Sequence, residues 1–431
     1  MIFEKKENTL LNEVLYKGTH KSGLTVYVLP KKEHTKSYAA FATRYGSVDY
    51  KFISPGESSE TEIPDGVAHF LEHKLFEQND GTNAFDLYSK TGANANAFTS
   101  FNSTVYLYSC TDKFYENLEI LLNFVSNPYF TKENVAKEQG IIGQEIRMYD
   151  DDPEWRVFFN AIDCMYQNHP VKKDIAGTVE SIAKIDKDLL FKCYNTFYNP
   201  SNMILFTCGD VDCLKVSNMV DKYIASSPAS KIKRIVPKEP AQINKPYKEQ
   251  NLSISIPIFY IGFKDTDVGF DGEKLLKKDI INDLITEIML GDGSDLYNRL
   301  YDDGLINDSF NFDFESEIDY GFTIIGGESQ KPKEVHKIIL DAFENAVIND
   351  SELTRAKKVI TADFLRMWNS VEGVSNKMIS ALFKNIDLFE YQKIIKSITL
   401  EDVNMRLKSH FTSQNCVLSV INPYESKGDK Q

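Results

Sequence analysis

Cysteine is scarce in these 431 residues, with six in all: Cys110, Cys164, Cys193, Cys208, Cys213 and Cys416. None forms a CxxC pair, so a disulfide framework is excluded and the six are expected to be reduced core thiols of a cytosolic protein. Cys208 and Cys213 are the nearest pair, but no histidine or further cysteine lies near enough to build a metal site with them. Long apolar runs are missing too. No stretch of about 18 apolar residues occurs, which argues against a membrane span. The opening residues, MIFEKKENTLLNEVLYKG, have no apolar core of signal-peptide length, and the expected location is cytoplasmic. Positive charge is short: 49 Lys and Arg face 63 Asp and Glu, giving a net charge of −14. Such a surface repels phosphate backbones, so nucleic acid is not an expected partner. Histidine is scarce as well, at seven.

What is present is ordinary globular sequence. A chain of this length with 42% hydrophobic residues suits two or three cores rather than one. Strand-like and helix-like stretches alternate irregularly, which predicts an α+β fold rather than a doubly wound sheet. LTVYVLP and SYAAFATRYGSVD have the aromatic and β-branched content of adjacent strands. A helix near NAFDLYSKTG and two strands within ANAFTSFNSTVYLYSC follow. TKENVAKEQGIIGQEIRMY is expected to be a helix capped by Thr131. NMILFTCGDVD closes the first half as a buried strand. From Ser226 to Gln250 the chain carries four prolines and a basic excess, the composition of a linker. After it the order restarts: strand, helix, strand pair, long helix, late strand. The sequence therefore predicts two related domains, residues 1–227 and 251–431, joined by a linker at 228–250. In the second copy the helix around Asp279 to Leu290 has no histidine, so only the first half carries the chemistry.

Two of the seven histidines fall in GVAHFLEHKLFEQ, residues Gly66 to Gln78. On a helix His69 and His73 project from one face about one turn apart. Glu72 lies about 60° around from His69 and about 100° from His73. Two imidazoles at this spacing can chelate one zinc ion, and a carboxylate beside them can take a proton from water. The order is the mirror image of the H-E-x-x-H pattern. The same pair could be a polar surface stripe or satisfied core imidazoles, but Phe70, Leu71 and Leu75 give the helix an apolar flank, so it packs. Zinc then needs a third protein ligand. Glu138 and Glu145, seven residues apart, stack on one helical face two turns apart. One can bind metal while the other orients a ligand histidine. Gly140 and Gly143 each cost such a helix about 1 kcal/mol relative to Ala, which suggests a face packed tightly on another element.

HFLEH, the distal Glu145 and the preceding Glu138 together resemble the insulinase/pitrilysin family of zinc metallopeptidases, in particular its short bacterial members. GANANAFTSF, NHPVKKDIAGTVESI and FYNPSNMILFTCGDVD extend the resemblance over most of the first half. It implies His69, His73 and Glu145 as zinc ligands, Glu72 as general base and Glu138 as a supporting carboxylate. It also implies that Asn96, Ala97, Phe98 and Thr99 form an edge strand to which a peptide substrate adds as a further β-strand. Without the resemblance these four would be an ordinary strand with Phe98 in the core. The implied fold is two related α+β domains, each a mixed, mostly antiparallel sheet with helices packed on one face, forming half of a clamshell.

One departure bears on partners. Family members carry an Arg and a Tyr in the second half that contact substrate near the metal. In RLYDDGLINDSF, Tyr301 stands at the Arg position and Asn307 at the Tyr position, with Arg299 two residues early. The resemblance therefore implies the zinc-bearing subunit of a heterodimer with a paralogue that lacks the zinc motif, a homodimer being the alternative.

Overall fold

A computed structural model of the protein describes residues 1–226 and 231–424. The first half contains strands β1 (Phe3–Asn8), β2 (Glu13–Thr19), β3 (Thr25–Pro30), β4 (Ser37–Thr43), β5 (Lys51–Ile53), β6 (Thr61–Glu62), β7 (Asn94–Thr99), β8 (Thr104–Cys110) and β9 (Met203–Gly209). Among them lie helices α1 (Val67–Leu75), α2 (Ala84–Thr91), α3 (Phe114–Ser126), α4 (Lys132–Asp151), α5 (Pro153–Met165), α6 (Val179–Ile182), α7 (Lys187–Phe197) and α8 (Cys213–Tyr223). The rest comprises β10 (Lys233–Arg234), β11 (Tyr247–Leu252), β12 (Ile258–Lys264), β13 (Asn311–Ser316), β14 (Gly321–Glu328) and β15 (Cys416–Pro423). Its helices are α9 (Gly272–Leu290), α10 (Asp295–Asp302), α11 (Pro332–Asn345), α12 (Asp350–Met367), α13 (Val371–Phe383), α14 (Tyr391–Ser397) and α15 (Leu400–His410).

The predicted restart is a duplicated sheet. The first sheet runs β1-β2-β3-β9-β4-β8-β7 and the second β11-β15-β12-β14-β13. Dropping the β1-β2 hairpin leaves the same order twice. In each copy a single neighbouring pair is parallel, β3 with β9 and β11 with β15, while the other pairs are antiparallel. The central strands β4 and β9 are buried along their whole length, as strands covered on both faces must be. Their sequences, SYAAFAT and MILFTCG, are accordingly near-continuous apolar runs.

Two compact units result. One contains Met1–Ile146, Lys173–Val236 and Leu365–Phe383, the other Arg147–Lys172, Pro237–Phe364 and Lys384–Gln431. Each sheet therefore takes a helix from the opposite half of the chain. Helix α5 packs on β11, β12 and β15, its Val157 joining a core cluster with Leu252, Ile258 and Ile421. Helix α13 packs on β4 and β9. The sequence division at 227 and 251 differs from this. Amphipathic periodicity tells that one face of α5 is buried, but it carries no information on which sheet buries it.

The expected linker is also more ordered than its composition suggests. Its first boundary, at 227/228, lies outside the described residues. Beyond it, β10 pairs with β5, Arg234 Nε donates to Asp49 Oδ1 at 2.6 Å, and β11 begins at Tyr247. Five of the six cysteines are buried and none is in a disulfide. Among the described residues no helix is long and apolar enough to cross a membrane.

Candidate metal centre

Helix α1 is fixed at its start by close backbone contact. Gly66, its N-cap, has φ 93°, and a Cβ there would lie 2.5 Å from the Ala176 carbonyl oxygen. Gly177 answers it: a Cβ would lie 2.6 Å from the Asp65 carbonyl oxygen, and Ser181 Oγ donates to that oxygen at 2.8 Å. Only glycine serves at both positions. The segment DIAGTVES thus clamps the helix that carries the histidines. Val67, Phe70, Leu71 and Leu75 are buried, which sets the rotation of α1.

That rotation brings His69 and His73 against Glu145 of α4. His69 Nε2 lies 3.6 Å from Glu145 Oε1, and His73 Nε2 lies 3.6 Å from Glu145 Oε2. One ligand atom from each residue falls within 4.8 Å of the others. The imidazole rings are 4.5 Å apart at 63°. The donor set of two nitrogens and one carboxylate oxygen is that of a zinc site with room for a further ligand. His69 Nδ1 is buried with no hydrogen-bond partner among the described residues, so the ring's polar business is at Nε2.

Glu138, two turns before Glu145 on α4, takes the supporting position. Its Oε1 accepts from His73 Nδ1 at 3.1 Å, which leaves the Nε2 lone pair for a metal. Burial opposes a charged His73. The Glu138 hydrogen bond and the carboxylates of Glu145, Glu72 and Glu138 outweigh it, and the pKa rises above the ordinary histidine value. Burial would likewise push Glu138 up. Its bond from His73 and the Lys74 charge prevail and hold it below the usual carboxylate value. Thr131 caps α4 as expected, its Oγ1 accepting from Asn134 N at 3.1 Å. Gly140 corrects one expectation: it is exposed, with nothing within 4 Å of a Cβ, so it does not serve close packing. Gly143 is buried.

Strand β7 ends the sheet, pairing with β8 on one side. Its burial alternates, with Asn94, Asn96 and Phe98 exposed and Ala95, Ala97 and Thr99 half-buried. Phe98 is 39% exposed, not in the core. The strand's period of two turns the small residues inward and sends the large one out. Thr99 Oγ1 donates to Glu72 Oε2 at 2.6 Å, so the strand's last residue grips the carboxylate of α1. Asn96 Oδ1 accepts from Ala97 N at 2.9 Å. A cavity of about 560 Å³ adjoins His73, bordered also by Glu72, Phe85, Ala97, Lys137 and Ile141.

Residues 52–179 match the family model for insulinase (peptidase family M16), and residues 184–360 match that for the peptidase M16 inactive domain. A Bacillus subtilis (strain 168) protein named uncharacterized zinc protease YmfH is 43% identical over 420 residues, 96% of this chain and 97% of its own. This chain belongs to the insulinase family. Among solved insulinase-like structures, a putative M16-like peptidase from Alicyclobacillus acidocaldarius matches with TM-score 0.91 and 30% identity, over 98% of this chain and 99% of its own. A protease from Helicobacter pylori shares the fold at TM-score 0.77 and 20% identity, covering 95% and 99%. The insulinase match at 52–179 contains His69, Glu72, His73, Glu138, Glu145 and all of β7.

One member and one contact of this site escaped the sequence reading. Lys74, directly after the motif, is buried and reaches Glu138; its signal was a lysine inside an otherwise apolar helix end. The Thr99 grip on Glu72 had no sequence signal beyond the residue type. In the second unit, Tyr301 donates to Asp308 at 3.1 Å and Asn307 to Glu328 at 2.9 Å, so local acids engage both departures from the insulinase pattern.

Proposed function

We propose that this chain is a zinc-dependent endopeptidase that hydrolyses peptides or small unfolded polypeptides, working as the zinc-bearing subunit of a heterodimer. The observation that carries the hydrolytic reading is the convergence of His69 and His73 on Glu145 with Glu72 held alongside. His69, His73 and Glu145 would hold the metal, and three protein ligands leave a position open, as in catalytic rather than structural sites. Zinc, when bound, supplies Lewis acidity that polarises a carbonyl and lowers the pKa of water toward ~7.

The chain's own residues supply the rest. Glu72 accepts a proton from water as its oxygen bonds to the scissile carbonyl carbon, then gives that proton to the amide nitrogen as the C–N bond breaks. Thr99 keeps the Glu72 carboxylate aimed, and Glu138 keeps the His73 ring turned. The open edge of β7 pairs with the substrate backbone, Asn96 and Phe98 lying on its exposed side and Ala97 and Thr99 facing inward. For that pairing the Asn96 side chain swings off the Ala97 N–H.

The heterodimer reading rests on Tyr301 and Asn307, which stand where the family's Arg and Tyr are expected. A paralogue that keeps those two and lacks the zinc motif would complete the site. The match of residues 184–360 to the inactive-domain model favours a second reading, a zinc-binding assembly subunit without hydrolytic activity. Zinc content and cleavage of unstructured peptides, measured with and without the paralogue, separate the readings. The proposal expects about one zinc per chain, lost in His73→Ala, and cleavage that rises on adding the paralogue. Equal cleavage with and without it removes the heterodimer, and zinc without cleavage in either sample favours the assembly subunit.

A further inference from the structure

Lys74 is 1% exposed, yet no motif accounts for it. A buried ammonium is tolerated only where charges and hydrogen bonds meet it. Its Nζ pairs with Glu77 Oε2 and, at 3.4 Å, with Glu138 Oε2. The other oxygen of Glu138 accepts from His73 Nδ1 at 3.1 Å. Glu138 is therefore held at both ends of its carboxylate, by the imidazole on one oxygen and the ammonium on the other. With one anchor a glutamate can turn about its last bond; with two it cannot. The local charge points the same way: Glu72, Glu77, Glu138 and Glu145 gather around the histidines, and Lys74 is the cation bonded into that group.

We propose that Lys74 is a positioning residue of the metal centre, acting through Glu138 to fix His73 for metal binding. This rests on the zinc reading above. The bonds of its Nζ go to Glu138 and Glu77; it sets the carboxylate that sets the ring. Residues behind a metal ligand change affinity by about tenfold to a hundredfold when removed.

A double-mutant cycle on the full chain tests this, with zinc affinity read by competition against a chromophoric chelator. Wild type, Lys74→Met, Glu138→Gln and the double variant are compared. Lys74→Met is expected to weaken zinc binding about tenfold to a hundredfold. The double variant is expected to bind zinc within about threefold of Glu138→Gln alone, because the lysine has nothing left to act through. A merely structural lysine would not give that coupling. Should Lys74→Met not fold, the double variant against Glu138→Gln decides, since there the lysine and its carboxylate charge leave together. Lys74→Met within threefold of wild type overturns the proposal. So does a double variant that fails to fold or that binds more than threefold weaker than Glu138→Gln. Wild-type chain without zinc affinity overturns the zinc reading itself and this proposal with it, a result distinct from the others.

Discussion

Helices α1 and α9 occupy the same place in the two copies of the sheet. Each packs beside the terminal strand, β7 or β13, and beside the helix that precedes the late strand, α7 or α15. Each also carries two polar residues four apart, His69 and His73 on α1, Lys278 and Asn282 on α9. In the second unit those residues are consumed internally. Lys278 Nζ lies 2.8 Å from Asp265 Oδ2, Arg406 donates to Asp265 at 3.0 Å and to Asn282 at 3.2 Å, and His410 Nε2 bonds Thr323 at 2.8 Å. One buried acid meets two cations. In the first unit the balance is reversed, with Glu72, Glu138 and Glu145 about the histidines and Lys74 as the internal cation. The framework alone does not make a metal site. On the zinc reading proposed above, the surplus of carboxylate around two imidazoles is what sets the first unit apart, whereas the second unit fills the same place with a closed ion network.

The most severe way to break the comparison is Glu72→Gln. It is expected to lower peptide cleavage by about 10²–10⁴ while zinc content stays at the wild-type level. Elemental analysis beside a cleavage assay reads both, and a loss of metal would reassign the residue. In the second unit the corresponding injury is to stability. Lys278→Met leaves Asp265 buried with half its counter-charge, and a cost of about 3 kcal/mol is expected in denaturant unfolding. Zinc per folded chain should not change. Thr99→Val keeps shape but removes a hydrogen bond to a charged group, worth roughly 1.5–3 kcal/mol. Cleavage should fall about tenfold to a hundredfold with zinc retained; an unchanged rate would show that Thr99 does not aim Glu72.

Two histidines sharpen the contrast in pH. His410 is kept neutral by burial first and by Arg406 and Lys278, against the pull of Asp265, and its pKa lies well below the ordinary 6.5. The unfolded chain takes up that proton below about 6.5, so this contribution to stability is present above 6.5 and is lost as pH falls. His73 in the zinc-free protein has the opposite sign. Its pKa is raised, so its contribution is full below 6.5 and fades as pH climbs through the folded value. Histidine NMR titration of zinc-free protein should place His73 above 6.5 and His410 below it. The smallest effect expected is that of Phe98→Ala. At 39% exposure it should change stability by no more than about 0.5 kcal/mol, where a core phenylalanine would cost 3–5 kcal/mol.

The sequence carried the duplicated element order and the geometry of α1, because helical period and residue type are local properties. It also carried Glu138 and Glu145 as a stacked pair. Phe98 was misplaced because a six-residue strand of small residues does not reveal which of its faces is inward. Lys74 was missed because a lysine is ordinarily solvated, and one of the two carboxylates that meet it when buried, Glu138, arrives from 64 positions away, the other being Glu77. The partnership of α5 and α13 with their sheets was invisible for the same reason, as it is a long-range choice among equally apolar surfaces.

That exchange of helices has a consequence for synthesis. The first unit lacks its covering helix α13 until Phe383 has left the ribosome, although its preceding segment ends at Val236. The intervening chain (383 − 236 = 147 residues) takes about 7–30 s to make at roughly 5–20 residues per second. Through that interval the apolar strands β4 and β9 wait without the helix that will cover them. Exposed apolar strands are the surface that chaperones hold, and the unit that carries His69, His73 and Glu145 is closed at Phe383, before the chain of the other unit is complete.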